Sequence, residues 1–176
     1  MSIFLPYIVD TECDNVVFPD EDEDLHTIAN HLPFEKIKQI TVHRGSTVQL
    51  LYRCNTLPKA INICGNLGES VCQTKEEMAS RLTIDSIAEL CDREGVENIN
   101  IFDDSKTYKS IDSIVYSYDG KRLLKCPRGK TGHVTIPKGT EIIAANAFKH
   151  CHIDSVSFPS TLIQLENDAF ASSTVK

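Results

Sequence analysis

Apolar positions in the C-terminal part of the chain recur with one period. Val134-Thr135-Ile136-Pro137 is answered by Val156-Ser157-Phe158-Pro159, Ile143 by Leu165, and Ala147-Phe148 by Ala169-Phe170, every pair 22 residues apart. A fixed period of this length signals stacked units, each too small to bury its own apolar face, instead of a closed globule. Alternation within 134–136 sends Val134 and Ile136 to the core and Thr135 to solvent. The same period sets Phe148 and Phe170 one above the other along the stack.

The first half carries a less regular pattern. Residues 3–9 are β-branched or aromatic at several positions, and Pro6 makes them an edge strand or extended arm. Val16-Val17-Phe18 is a second short apolar run. Leu25, Ile28, Ala29 and Leu32 form a helical stripe that Pro33 ends. Ile37, Ile40 and Val42 follow, with a strand expected over 38–43. This helix–loop–strand unit has an ungapped copy 59 residues later, pairing Leu25 with Ile84, Ile28-Ala29 with Ile87-Ala88, Leu32 with Cys91, Ile37 with Val96, Ile40 with Ile99 and Val42 with Ile101. Between the copies, residues 60–64 alternate like a strand. Thr74 can cap a helix running from 75 towards 91, with a break and restart at Thr83. Gly95 is expected to end that helix, and a strand follows over 97–102. Residues 103–110 are polar. Asp119-Gly120, flanked by Ile114-Val115-Tyr116 and Arg122-Leu123-Leu124-Lys125, is the best hairpin signal in the chain.

From Ile111 onward the sequence resembles the BspA-type (Treponema pallidum type) leucine-rich repeat family. The resemblance rests on a strand ending in Ile136-Pro137, an apolar position three after the Pro, another three later, then Ala147-Phe148, Cys151 and Ile153. The next unit supplies Pro159, Leu162, Leu165, Ala169-Phe170, Ser173 and Val175. Four features depart from the family pattern. Ala144 and Glu166 stand where a Gly is usual, Thr140 stands for an aliphatic residue, Ser173 stands for Cys, and the period is 22 where 23 is commoner. The resemblance implies an α+β leucine-rich-repeat-like solenoid: an irregular helix–strand N-terminal half over 1–110, acting as cap and degenerate repeats, continuous with regular 22-residue BspA-type repeats over 111–176. The chain stops a few residues after Ala169-Phe170 without a polar capping helix. The expectation is self-association through that open repeat, or a fragment of something longer.

Charge changes the picture locally. The formal net charge is −7. Residues 1–35 hold nine acids and no Lys or Arg, which leaves 16 acids against 18 bases elsewhere. An overall acidic chain without Trp argues against a nucleic-acid partner. Asp20, Glu21, Asp22, Glu23 and Asp24 form either a surface for a basic partner or a solvated lead-in to the helix at Leu25. No stretch approaches the ~20 apolar residues of a membrane span, and the N-terminus lacks a basic n-region. Seven scattered cysteines without a Cys-x-x-Cys pair fit reduced thiols. A cytoplasmic protein is expected, with a surface or secreted location only for a trimmed fragment.

Candidate chemistry is sparse. Gly129-Lys130-Thr131 lacks the upstream Gly of a phosphate loop, since Leu124 stands five positions before Gly129. The neighbours in His150-Cys151-His152 diverge and cannot easily share one metal. Residues 20–24 lack the Gly and terminal Glu of a calcium loop. No catalytic, cofactor or metal residue is assigned, and the expectation is a non-enzyme. The function expected is a protein–protein interaction module with an unidentified protein partner. It would bind through outward strand positions such as Thr135, Ser155 and Ser157, with the acidic N-terminal residues as a second surface. The alternatives are an inhibitor or immunity-type protein neutralising a basic partner, a surface adhesin fragment of the kind the resemblance suggests, and a cysteine-dependent enzyme.

Overall fold

The computed structural model describes residues 8–10, 15–18, 37–42, 51, 57–63, 83–102 and 107–175. The helical stripe at Leu25, the acidic run Asp20 to Asp24 and the helix expected after Thr74 lie outside them. The described chain is a β-solenoid in which parallel strands from successive turns stack into rows.

In the first half, β1 (Ile8–Asp10) pairs antiparallel with β2 (Asn15–Phe18) and forms the sheet edge. From there β2, β3 (Gln39–Val42), β4 (Ala60–Ile63) and β5 (Asn98–Ile101) run parallel. Ile40, Ile61 and Ile99 lie in register, as do Val42, Ile63 and Ile101. The unit copied 59 residues later is therefore the same register position two strands along. The aliphatic side chains of β3, β4 and β5 pack into one core with Leu51, Ile87, Leu90, Cys91 and Val96.

The opposite parity of these strands holds a ladder of polar side chains. Thr41, Asn62 and Asn100 lie in register. The Asn62 amide donates to Gln39 Oε1 (3.2 Å) and Thr41 Oγ1 (3.3 Å). Its carbonyl accepts from Asn100 Nδ2 (2.9 Å), and Asn100 Oδ1 accepts from Ser113 Oγ (3.1 Å). Enclosed amides need partners on both polar atoms. A row of them stacked at strand spacing supplies those partners from its own neighbours.

The helix α1 (Ile84–Cys91) starts at Thr83, whose hydroxyl accepts the Ser86 N–H while Ser86 Oγ accepts the Thr83 N–H. This reciprocal cap fixes a helix start at Thr83. The helix ends at Cys91, capped by Asp92, one turn before Gly95, which lies in the following bend. The reason is that the Arg93 N–H turns back to Leu90 O, a tightened last turn that closes the helix early.

The polar stretch 103–110 leads into a strand that its composition does not announce. Tyr108–Ile111 is a strand, β6, in a hairpin with β7 (Ile114–Ser117). The connection is Asp112-Ser113, both at positive φ (50° and 62°), the conformation a two-residue hairpin needs. The expected turn at Asp119-Gly120 joins β7 to β8 (Arg122–Lys125). There Gly120 adopts φ 76°, and Asp119 Oδ1 accepts the Ser117 hydroxyl (2.6 Å) and the Lys121 N–H (3.0 Å). These two bonds hold the Asp119 carboxyl below its ordinary range.

Thereafter the rows advance by the 22-residue repeat, apart from a first step of 20 residues from β8 to β10. β8, β10 (Ile142–Ile143) and β13 (Gln164–Leu165) are parallel, with Leu123, Ile143 and Leu165 in register. β9 (His133–Thr135) pairs β12 (Ser155–Ser157), and β11 (His152–Ile153) pairs β14 (Thr174–Val175). Val134 and Ile136 are buried while Thr135 is exposed. The Phe148 and Phe170 rings stack, with centroids 4.7 Å apart and planes 2° apart. Left-handed backbone also repeats at the 22-residue period, at Asn146 and Asp168 and again at His150 and Ser172. Asn and Asp tolerate that conformation better than most side chains. Ala144 and Glu166 are not left-handed. Each donates its N–H to the preceding turn, so the family's Gly is not needed there. Thr140 is accommodated in the core because its hydroxyl donates to Gly120 O (3.3 Å).

Gly129 is fixed by a close approach. Its N–H donates to Val96 O (2.9 Å), and a Cβ there would stand 2.7 Å from that same oxygen. Gly129→Ala must push two backbone segments apart. It is expected to cost about 1–2 kcal/mol in urea unfolding. An unchanged midpoint would show that the contact between 96 and 129 can give at no cost.

Candidate interaction surfaces

The outward positions singled out in the sequence fall on the β9–β12 pair. Ser155 lies opposite His133 and Ser157 opposite Thr135. Thr135 and Ser157 are exposed, and Ser155 is half-buried. His133 Nδ1 is 2.6 Å from Ser155 Oγ, and Nε2 is 3.0 Å from Ser157 Oγ. One imidazole thus spans both serines, a feature the sequence pattern does not reveal. On the next row His152 Nδ1 sits 2.7 Å from Thr174 Oγ1. The result is a hydroxyl- and imidazole-bearing strip. Asp20, Glu21, Asp22, Glu23 and Asp24 lie outside the described residues.

The described thiols are enclosed. Cys91, Cys126 and Cys151 are free and fully buried. Burial pushes the Cys91 thiol up. A hydrogen bond between Cys126 and Cys151 pulls Cys151 below its ordinary range and pushes Cys126 up. The Cys151 sulfur also lies 3.7 Å from the carbonyl oxygens of Cys126 and Pro127. The neighbouring His152 bonds Thr174 instead, and no group of three His, Cys, Asp or Glu side chains converges among the described residues.

A cleft of about 480 Å³ lies between α1 and the turn after β10. Ile84, Ala88, Leu124 and Ala144 give it an apolar floor. Lys125 ties the two walls together. Its ammonium is 2.7 Å from Asp92 Oδ1 at the end of α1 and donates to Asn146 O (3.1 Å) in the turn. Its residue exposure is only 4%. Burying an ammonium group is tolerated when it is paired and hydrogen-bonded in this way. Arg122 donates to Glu166 Oε2 at 2.6 Å, and the same oxygen accepts the Ala145 N–H (3.0 Å). These bonds lower the Glu166 carboxyl from its ordinary value. No local sequence pattern marks this cleft, because its walls come from residues 84–92 and 122–166.

A family model described as the BspA type leucine-rich repeat region, with 6 copies, matches residues 126–176. Among solved structures, a leucine-rich repeat protein from Eubacterium ventriosum is similar with a TM-score of 0.44 and 13% identity, over 93% of this chain and 60% of that one. The chain thus spans about 60% of that protein's length. No curated protein matches the chain. Among the described residues no helix is long and apolar enough to cross a membrane. Residues 126–176, with their turns stacked at a constant 22-residue register, are thus similar to the BspA-type leucine-rich repeat family.

Proposed function

We propose that this protein is a protein–protein interaction module that binds its partner through the outward strand positions of the solenoid. Leucine-rich repeat solenoids are typically non-enzymatic binding scaffolds. The observation that carries the reading is the division of labour on β9 and β12. Val134 and Ile136 are buried, while Thr135 and Ser157 beside them are exposed and free to vary without disturbing packing. Thr135, Ser155 and Ser157 are the proposed contact residues on this face. Asp20, Glu21, Asp22, Glu23 and Asp24 supply a second, charge-dependent surface.

The test is capture of partners from the native host followed by reconstitution with the purified candidate. Binding should be lost in a Thr135→Lys/Ser157→Lys double variant whose melting is unchanged. A candidate that binds the double variant as tightly as the parent chain sinks the assignment to this face. Salt-sensitive binding lost on neutralising the five N-terminal acids selects the inhibitor-type alternative instead.

A second reading, self-association through the last described turn, is favoured by one comparison. Ile136, Ile143 and Ile153 are 3%, 0% and 1% exposed, whereas Phe158, Leu165 and Val175, one period later, are 50%, 54% and 45% exposed. Each is apolar and lies on a strand row, or at its end, that another unit would cover. Sedimentation of the chain is expected to give a dimer or larger species, and Leu165→Arg a monomer. A monomeric parent chain removes this reading.

A further inference from the structure

The cleft between α1 and the turn after β10 has two rim charges left over once its ion pairs are drawn. Lys125 is matched by Asp92, and Arg122 by Glu166. That leaves Asp85 on the helix rim and Lys149 on the opposite rim, both lining the cleft and neither in an ion pair or side-chain hydrogen bond among the described residues. Between them the floor is apolar, and Ala88 and Ala144 keep it open because they are small. The frame is rigid, since the Lys125 ammonium bonds both walls at once. A volume of about 480 Å³ falls in the ~300–1,000 Å³ range of ligand sites.

We infer that this cleft binds a short extended segment of a protein partner. The segment carries an apolar side chain that sits on the floor between Ile84 and Leu124. A basic residue on one side of it faces Asp85, and an acidic residue on the other faces Lys149. Charge complementarity selects the occupant. An all-acidic segment would meet Asp85, and an all-basic one Lys149, with like charge. The inference rests on the reading as a protein-binding module and gives it a second contact site, separate from the β9–β12 face.

The experiment uses the full chain and four capped peptides: acetyl-Lys-Leu-Glu-amide, acetyl-Lys-Gly-Glu-amide, acetyl-Lys-Leu-Lys-amide and acetyl-Glu-Leu-Glu-amide. Amide chemical shifts of the cleft residues are followed by NMR. The first peptide is expected to bind saturably, with a dissociation constant on the order of 1 mM. It should bind about 10-fold more tightly than the other three. In Lys149→Glu the preference should invert towards acetyl-Lys-Leu-Lys-amide, a gain that a merely misfolded variant would not show. Equal binding of all four peptides, no shift at the cleft residues, or an unchanged preference in Lys149→Glu overturns the inference. If the cleft fails while partner binding still depends on Thr135 and Ser157, the module reading stands without it. If the peptides bind and no partner depends on that face, the face is wrong and the cleft stands.

Discussion

Replacing Phe148 by Ala is expected to lower the stability of the chain by about 3–5 kcal/mol, the range for truncating a fully buried aromatic ring. The ring is completely enclosed and lies parallel on Phe170 at 4.7 Å. Truncation therefore removes core packing within one turn and the stacking contact with the next. The position along the stack matters as much as the chemistry. In a solenoid each turn packs chiefly on its neighbours, so a hole at their interface weakens the coupling to whatever lies beyond it, here leaving the Arg122–Glu166 bond as the reach across a turn. The last turn is held by the Phe148 N–H to Ala169 O bond (2.7 Å), the His150 N–H to Ala171 O bond (3.1 Å) and the two-residue pairings of β11 with β14 and β10 with β13. Without the ring these bonds should open first. Hydrogen exchange over 152–175 should then accelerate well beyond exchange in β7 and β8. Phe170→Ala makes the internal comparison: that ring is only half-buried and should cost at least ~1 kcal/mol less. Equal losses for the two variants, or uniform acceleration of exchange along the chain, would contradict a stack built from neighbour contacts.

How far the sequence reveals this structure depends on whether a feature is periodic. The 22-residue spacing of Val134 with Val156 is the strand register itself, because one repeat is one turn. The 59-residue spacing of Ile40 with Ile99 is legible for the same reason. Ile61 lies between them in the row, at steps that are unequal because the connections differ in length. The strand β6 is not legible because Tyr108-Lys109-Ser110-Ile111 is half-buried at every position. Without a buried and an exposed face there is no alternation to read. The Asp112-Ser113 turn lacks the Gly that usually marks a two-residue hairpin. The cleft is hidden for a deeper reason. Lys125 reads locally as the polar end of the strand Arg122–Lys125, and only the fold sets Asp92 against it. The same holds for the His133 bridge to Ser155 and Ser157, which joins residues on separate turns. Periodicity exposes the scaffold, whereas interactions between turns made by single side chains carry no period.

The polar ladder in the first half gives the second large effect, and its sign depends on pH. Asn62 is 7% exposed and is the centre of the ladder, donating to Gln39 and Thr41 and accepting from Asn100. Asn62→Asp preserves shape. While protonated, the new carboxyl can still donate one hydrogen bond and accept the Asn100 amide, so the variant should be close to the parent chain in acid. Once ionised, the carboxylate has no donor of its own. Gln39 must flip its amide and Thr41 rotate its hydroxyl to meet it, and the charge stays enclosed. Burial therefore raises the folded-state pKa of the introduced carboxyl above its unfolded value of about 3.9. With a folded pKa raised by roughly 2 units, the two states bind equal numbers of protons below pH ~3.9, and no stability is lost there. Between that value and the raised pKa the unfolded chain ionises while the folded one does not. Stability falls through this window by about 1.4 kcal/mol per unit, and levels off near 2–3 kcal/mol below the parent chain at neutral pH. Urea midpoints of the variant, measured against the parent at each pH, should trace this curve. A difference that stays flat across the window would mean that the ladder absorbs a full charge by rearranging its amides, in which case Asn62 orders the row without depending on its donors.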